Sequence, residues 1–383
     1  MKNRSSLLFG ASCVAAGFVL GACALQNSDA PTSALQKPAQ AQIRNASDLA
    51  ALSSTYAQIA AKVTPAVVNI QAVTIQRGRI LRDPFSEFFG EEFGGRRFRE
   101  PDRRSQSVGS GVIIDKSGLI ITNNHVIQGA TQLTVTLSDR RRFNARLLGG
   151  DGASDVAVLK IEGQNLPVLQ WANSDSVNVG DIVLAVGSPF GLSATVTQGI
   201  VSAKGRRDLG ISAYEDFLQT DAAINPGNSG GALVDINGNL VGINTAILSE
   251  SGGNQGIGLA IPANLARTLG TQLSQTGRVT RGWLGVVVEQ LPPDLGAQIG
   301  VQSGVLVTGV YTNSPAGRVN WSERGTDVIL AVNGQNIESP GQMRNLIAGV
   351  APGQTIRLRV WQSGQTRDLS LQAGNKPARA QGV

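Results

Sequence analysis

From Ile59 onward, apolar residues recur in short runs with a period of two. Ala66-Val67-Val68-Asn69-Ile70-Gln71-Ala72-Val73 and Gly111-Val112-Ile113-Ile114-Asp115 come first, followed by runs over 119–122, 133–137, 156–161, 182–186, 233–235 and 240–243. Runs of this length, rich in Val and Ile and bounded by Gly, Asn and Asp, predict strands of a sandwich or barrel. Asp235-Ile236-Asn237-Gly238-Asn239 carries the Asn-Gly signal of a tight hairpin. One helix is expected over 262–274, ended by Gly277.

After Thr280 a second set of elements begins. Trp283-Leu284-Gly285-Val286-Val287-Val288 and Gly304-Val305-Leu306-Val307 read as strands, 327–334 as a strand running into a turn, and 356–361 with 366–371 as a closing hairpin. Ser339-Pro340 places an N-cap and a first-turn proline before a helix to about Ala348. The segment 76–106 breaks the pattern, mixing Phe85, Phe88, Phe89, Phe93 and Phe98 with charges. Long insertions of this kind in compact domains are functional or disordered.

The 383 residues allow two or three domains, and the 47 glycines against ten Phe, four Trp and three Tyr favour a turn-rich, mostly β chain. The net charge of +6 is spread thinly. Its densest arginine region, 77–104, also contains Asp83, Glu87, Glu91, Glu92, Glu100 and Asp102, which argues against a nucleic-acid partner. Met1-Lys2-Asn3-Arg4 followed by an apolar run over 7–25 has the design of an export signal. Both cysteines, Cys13 and Cys23, fall inside it. Leu20-Gly21-Ala22-Cys23 resembles a bacterial lipobox, which would leave Cys23 lipidated and the protein anchored to a membrane. A signal cut after Ala39-Gln40-Ala41, and a retained anchor, fit the same segment. Residues 26–48 read as a polar spacer.

Chemistry narrows sharply on one count, a single histidine. Zinc sites built on His and Cys need several such ligands, so no metal and no cofactor is expected. Ile120-Ile121-Thr122-Asn123-Asn124-His125-Val126 puts His125 just past a strand, where a turn can present its ring as a base. A base of this kind needs a carboxylate to fix its tautomer. Asp155, at the mouth of the apolar run 156–161, is the best candidate; spacing alone leaves Asp151 open. Ser229 in Ile224-Asn225-Pro226-Gly227-Asn228-Ser229-Gly230-Gly231 matches Gly-x-Ser-x-Gly, the nucleophile elbow of α/β-hydrolases. Those enzymes run Ser, acid, His, whereas here the histidine comes first. The order His, Asp, Ser is that of chymotrypsin-like double β-barrels.

Thr122-Asn123-Asn124-His125-Val126, Asp155-Val156-Ala157-Val158 and Gln219-Thr220-Asp221-Ala222-Ala223-Ile224-Asn225-Pro226-Gly227-Asn228-Ser229-Gly230-Gly231 together resemble the HtrA/Deg family of trypsin-like serine proteases, over roughly residues 56–371. The resemblance implies a double β-barrel protease domain over 49–277, one PDZ domain over 278–373 and a tail over 374–383. It implies catalysis by His125, Asp155 and Ser229, with the amides of Gly227 and Ser229 as oxyanion hole. It also implies an ATP-independent endoprotease of the bacterial cell envelope, periplasmic, that degrades unfolded or misfolded polypeptides. A chaperone or peptide-binding scaffold of the same fold, with little proteolysis, is the rival reading.

The same resemblance carries finer expectations. Asn228 stands where digestive proteases have the aspartate that captures a new N-terminus, so activation by N-terminal cleavage is not expected. Ala223, six positions before Ser229, replaces the acidic pocket floor of trypsin. With Ile224, Thr245, Ala246 and Ile247 it implies cleavage after small or medium aliphatic residues. Arg206, in Gly205-Arg206-Arg207-Asp208, matches the loop arginine that senses activation. Trp283, Leu284, Gly285 and Val286 would bind a peptide C-terminus, with Met343 and Leu346 along the groove. Glu323-Arg324-Gly325-Thr326-Asp327 departs from the usual uninterrupted Gly-Asp of that domain. The phenylalanine-rich insertion resembles the loop that reaches a neighbouring active site, which implies a homotrimer or an assembly of trimers.

Overall fold

The computed structural model describes residues 46–76, 80–81, 98–99, 103–189, 194–225, 227–247, 255–322 and 326–376. The export segment with Cys13 and Cys23, nearly all of the spacer, most of the phenylalanine-rich insertion, Pro226 and Glu323-Arg324-Gly325 lie outside them. Of the insertion, Ile80–Leu81 pairs antiparallel with Phe98–Arg99.

The first described element is a helix, α1 (Ala46–Val63), where the sequence reading has the end of the spacer and the start of alternation. Its alanines favour helix, and only Ile59 and Val63 are buried, so no broad apolar stripe announces it. Strand β1 (Val67–Gln76) follows, then β2 (Arg103–Asp115) and β3 (Leu119–Thr122). A one-turn helix, α2 (Asn124–Ile127), precedes β4 (Gln132–Thr136), β5 (Arg142–Asn144), β6 (Arg146–Asp151) and β7 (Val156–Lys160). Among the described residues these strands form a seven-stranded antiparallel sheet in the order β5-β4-β1-β2-β3-β7-β6. Its interior holds Ile70, Ile113, Ile120, Val135, Leu159 and Ile161, each fully buried.

The next six strands close into a barrel: β8 (Ile182–Gly187), β9 (Thr195–Arg206), β10 (Phe217–Thr220), β11 (Ala232–Val234), β12 (Leu240–Ile247) and β13 (Gly258–Pro262), in the order β8-β9-β10-β13-β12-β11. The largest apolar cluster is the seam between the two barrels. Val112, Ile121, Val156 and Val158 from the first meet Leu184, Val186, Phe217, Leu240 and Ile261 from the second. Helix α3 (Ala263–Thr276) seals that seam, because Ala263, Ala266, Gly270 and Leu273 recur at helical spacing along one face, with Leu269 beside them. It ends where expected, at Gly277, whose φ of 71° caps the helix through its amide on the Leu273 carbonyl.

The C-terminal module begins with β14 (Gly282–Trp283), which pairs with β20 (Gly374–Asn375). Strand β15 (Val286–Gln290), helix α4 (Pro293–Ile299), β16 (Val305–Val310), β17 (Val328–Val332), helix α5 (Pro340–Ala348), β18 (Thr355–Gln362) and β19 (Gln365–Gln372) follow. The sheet order β15-β16-β17-β18-β19 leaves β15 at an edge. Ser339 caps α5 by accepting the Gln342 amide, as its Ser-Pro start predicts.

Leu273 is fully buried in the inter-barrel seam. Leu273→Ala is expected to lower stability by about 2–5 kcal/mol, measured by denaturant unfolding.

Candidate active site

Asp155 occupies the turn between β6 and β7 with a φ of 58°, in the left-handed region that Asp tolerates better than bulkier residues. Five hydrogen bonds hold it there. Its carbonyl accepts the Asn124 amide at 3.2 Å and the Asn123 side-chain amide at 3.0 Å. Its Oδ1 accepts the His125 amide at 2.9 Å, and Oδ2 lies 2.7 Å from His125 Nδ1. Oδ2 also accepts the Thr245 hydroxyl, from β12 of the second barrel, at 2.8 Å. An ionised carboxylate only accepts, so Nδ1 carries the imidazole proton and Nε2 keeps its lone pair. The Asp155 side chain is 16% exposed and that of His125 48%, which leaves the far side of the ring open to a reactant.

Ser229 sits in the turn before β11. Its carbonyl accepts the Ser110 amide at 2.8 Å, and the neighbouring Gly109 is wedged between Val126 and that carbonyl, so Ser229 lies beside the His125 turn. Among the described residues no hydrogen bond joins the Ser229 hydroxyl to His125. Gly227 has a φ of 95° and backs onto Pro189, where a Cβ would come within 2.4 Å; only glycine fits. Among the described residues neither the Gly227 nor the Ser229 amide donates to a main-chain carbonyl. Both residues are half-buried, so each amide is available for an incoming oxygen. Asn228 is 2% exposed and its Oδ1 has no partner among the described residues.

The expected pocket residues divide. Ala223 is half-buried, with its carbonyl fixed by the Thr197 hydroxyl at 2.8 Å, and Ile247 and Ala246 are half-buried on β12. Ile224 is 1% exposed in the core of the second barrel. Thr245 has a different use from the pocket wall first assigned, because its hydroxyl is committed to Asp155. In the C-terminal module Gly285, at a φ of 76°, joins Leu284 to the free edge of β15. Leu284 and Met343 are each 1% exposed and belong to that module's core instead of a groove wall. Trp283 lies 5.9 Å from Tyr311, and Leu346 lines a cavity of about 410 Å³ shared with Tyr214, Leu269 and Arg281.

Asp151, left open by spacing, is already engaged. Arg281, in the linker to the second module, donates to both of its oxygens at 2.9 and 2.6 Å, and Ser154 adds its amide at 2.9 Å. Burial pushes the Asp151 carboxyl up, but the Arg281 and Ser154 hydrogen bonds and the guanidinium charge outweigh it and hold it below the ordinary value. The same guanidinium stacks over Tyr214 at 4.3 Å. Burial raises the Tyr214 hydroxyl, against the nearby Arg281 and Arg344.

Tyr214 belongs to the loop between β9 and β10, whose fold is organised by Glu215. This 3% exposed carboxylate accepts the amides of Leu209, Ile211 and Ser212 at 2.5, 2.5 and 2.8 Å. The loop joins α5 through Asp208 to the Gly341 amide (3.2 Å), Arg344 to the Ala213 carbonyl (2.8 Å) and Asn345 to the Glu215 carbonyl (2.6 Å). It reaches the first barrel through the Tyr214 amide on the Ala153 carbonyl at 2.9 Å. Arg206 is exposed, bonded to Gln219 at 2.7 Å, and borders a cleft of about 240 Å³ with Glu338 and Ser339. Arg207 instead pairs with Asp216 at 2.5 Å.

Comparison with known proteins gives two family matches: a trypsin-like peptidase domain over residues 109–243 and a PDZ domain over 272–372. A probable periplasmic serine protease do/HhoA-like of Haemophilus influenzae is 43% identical over 370 residues, covering 92% of this chain and 78% of the relative. The periplasmic pH-dependent serine endoprotease DegQ of Escherichia coli is 41% identical over 315 residues, covering 81% and 68%. Among solved structures, an HtrA-type protease AlgW with decapeptide is 44% identical with a TM-score of 0.69, covering 85% of this chain and 99% of that one.

Because the folded Asp151 is more acidic than the unfolded one, its bridge adds stability above the unfolded carboxyl value of about 3.9. That stability is lost as pH falls from there through the lower folded value. Asp151→Asn should therefore melt earlier than wild type at pH 7, with the difference closing as pH falls through the lowered folded value; melting curves across pH test this.

Proposed function

The chain belongs to the HtrA family of serine endoproteases, and from that premise we propose that His125, Asp155 and Ser229 form its catalytic triad. It is a periplasmic serine endopeptidase with a trypsin-like domain and one PDZ domain. The observation that carries the residue assignment is the doubly bonded contact of Asp155 with His125 beside Ser229. In the reaction, Ser229 Oγ adds to the scissile carbonyl while Nε2 of His125 takes its proton. The Gly227 and Ser229 amides receive the oxyanion, and His125 returns the proton to the leaving amine; water then releases the acyl group by the same route. Asp155 holds the imidazole through Nδ1 and is itself held by the Thr245 hydroxyl. Forming the Ser229–His125 hydrogen bond is left to the bound state, as is common for resting sites.

Unfolded or misfolded polypeptides are the proposed substrates. The edge of β15 accepts a peptide C-terminus as an added strand, with the turn at Gly285 taking its carboxylate. Contacts from α5 to the β9–β10 loop, and from Arg281 to Asp151, support control of the site by that peptide. Ala223 and Ile247 support a preference for small or medium aliphatic residues before the scissile bond. Family resemblance alone supports a homotrimer or an assembly of trimers, and the lipobox-like Leu20-Gly21-Ala22-Cys23 supports membrane attachment through Cys23.

A fluorophosphonate probe should label wild type and not Ser229→Ala, whose turnover should fall about 10⁶-fold. No labelling with or without peptide would favour the chaperone. In a peptide library, cuts should follow Val or Ala; efficient cutting after Lys would refute the pocket assignment. Mass spectrometry of the mature N-terminus decides the fate of Cys23.

A further inference from the structure

A second polar junction crosses the barrel seam at Ser110 on β2. This residue is fully buried. Its hydroxyl donates to the Gly227 carbonyl at 2.6 Å and accepts the Ser188 amide at 2.8 Å. Its amide donates to the Ser229 carbonyl at 2.8 Å, and its carbonyl accepts the Thr122 hydroxyl, three residues before His125, at 2.6 Å. Asn69 on β1 extends the junction by donating to the Ser188 carbonyl at 2.7 Å. The contact is direct, because a Cβ on Gly230 would lie 2.1 Å from the Ser110 carbonyl oxygen.

We propose that Ser110 is a positioning residue for peptide cleavage, clamping the carbonyls on both sides of Asn228 so that the Gly227 and Ser229 amides stay aimed at the substrate oxygen. A peptide unit turns as a plane. The Ser110 hydroxyl fixes the Gly227–Asn228 plane, which the Asn228 amide holds at its other end through the Asn225 carbonyl at 2.9 Å. The Ser110 amide fixes the Ser229–Gly230 plane. Between them lies the plane carrying the Ser229 amide; its Asn228 carbonyl accepts the Gly231 amide at 2.9 Å, and both of its neighbours are held. Gly227 needs such a clamp because a residue free to reach a φ of 95° is equally free to leave it. It also has no side chain to be gripped by, so the first barrel supplies the grip. Because Ser110 is excluded from water, removing its hydroxyl leaves the Ser188 amide and the Gly227 carbonyl without that partner, and no solvent can replace it.

The proposal rests on the assignment of those two amides as the oxyanion hole. Its test uses the full chain with Ser110→Ala, Ser110→Thr, Asn69→Ala and, as a packing control on the same strand but inside the first sheet's own core, Ile113→Ala. Ser110→Ala should lower kcat about 10–100-fold with KM within about twofold, and weaken a peptide boronate inhibitor by the same factor as kcat/KM. Ser110→Thr, which keeps the hydroxyl, should recover most of the loss. Ile113→Ala should lower the melting temperature and leave kcat unchanged. Asn69→Ala, one bond further out, should reduce kcat a few-fold, and it decides the matter if Ser110→Ala does not fold. Unchanged kcat in a folded Ser110→Ala, or an equal loss of kcat in Ile113→Ala, overturns the clamp. If wild type is not labelled by a fluorophosphonate, the assignment of Ser229 fails and takes the clamp with it; a labelled wild type with Ser110→Ala reacting equally fast overturns the clamp alone.

Discussion

Asp155 is held in a left-handed conformation by donors from three places: the histidine turn, the asparagine pair before it, and β12 of the opposite barrel. A carboxylate largely withdrawn from water is costly unless its oxygens are satisfied. Here the satisfying groups are the ones whose positions matter for chemistry. The His125 amide and ring both point at Asp155, so the imidazole has its tautomer and direction set before any substrate arrives. The Thr245 hydroxyl ties this arrangement to the barrel that carries Ser229. The packed seam of Val112, Ile121, Leu184, Val186 and Leu240 makes that tie rigid, since close-packed interiors leave little slack for one barrel to slide on the other.

The turn that presents Asp155 is also contacted by Arg281, next to the PDZ module, and by the loop that carries Tyr214. Asp151 and Ser154 brace its start, Arg281 grips Asp151 from the linker, and Tyr214 reaches Ala153 within the turn. Glu215 shapes the loop that carries Tyr214, and the same loop bonds three times to α5. A continuous set of polar contacts therefore runs from α5 to the turn that carries Asp155, the partner of His125. Such contiguity is a route along which coupling can act, and its direction is set by which arrangement a bound peptide favours.

Most of the strands were legible as short β-branched runs bounded by turn residues; 119–122, 156–160 and 182–187 are nearly pure aliphatics because they are buried almost throughout. Strand β9 (Thr195–Arg206) escaped, since its polar, glycine-containing sequence is exposed along much of its length. Helix α1 escaped for the related reason that only two of its residues are buried. The proposed triad of His125, Asp155 and Ser229 was read from residue type, order and flanking turns, and the structure brings His125 and Asp155 into contact. Thr245, Ser110, Arg281 and Glu215 were not legible, because each acts through a partner distant in sequence or through amides of its own loop. A serine beside glycine at 110 reads as spacing until β2 is seen to run against the turn of Ser229. Family resemblance assigned Met343 to the groove, whereas in the structure its side chain is packed into the module's core.

The central claim is that Asp155 fixes the tautomer of the sole histidine. That uniqueness makes one measurement decisive, nitrogen-15 NMR of the histidine-labelled protein at neutral pH. The account predicts a protonated Nδ1 with a strongly downfield proton and an unprotonated Nε2, both lost in Asp155→Asn. A proton on Nε2 in the wild type, or a spectrum unchanged by Asp155→Asn, would contradict it.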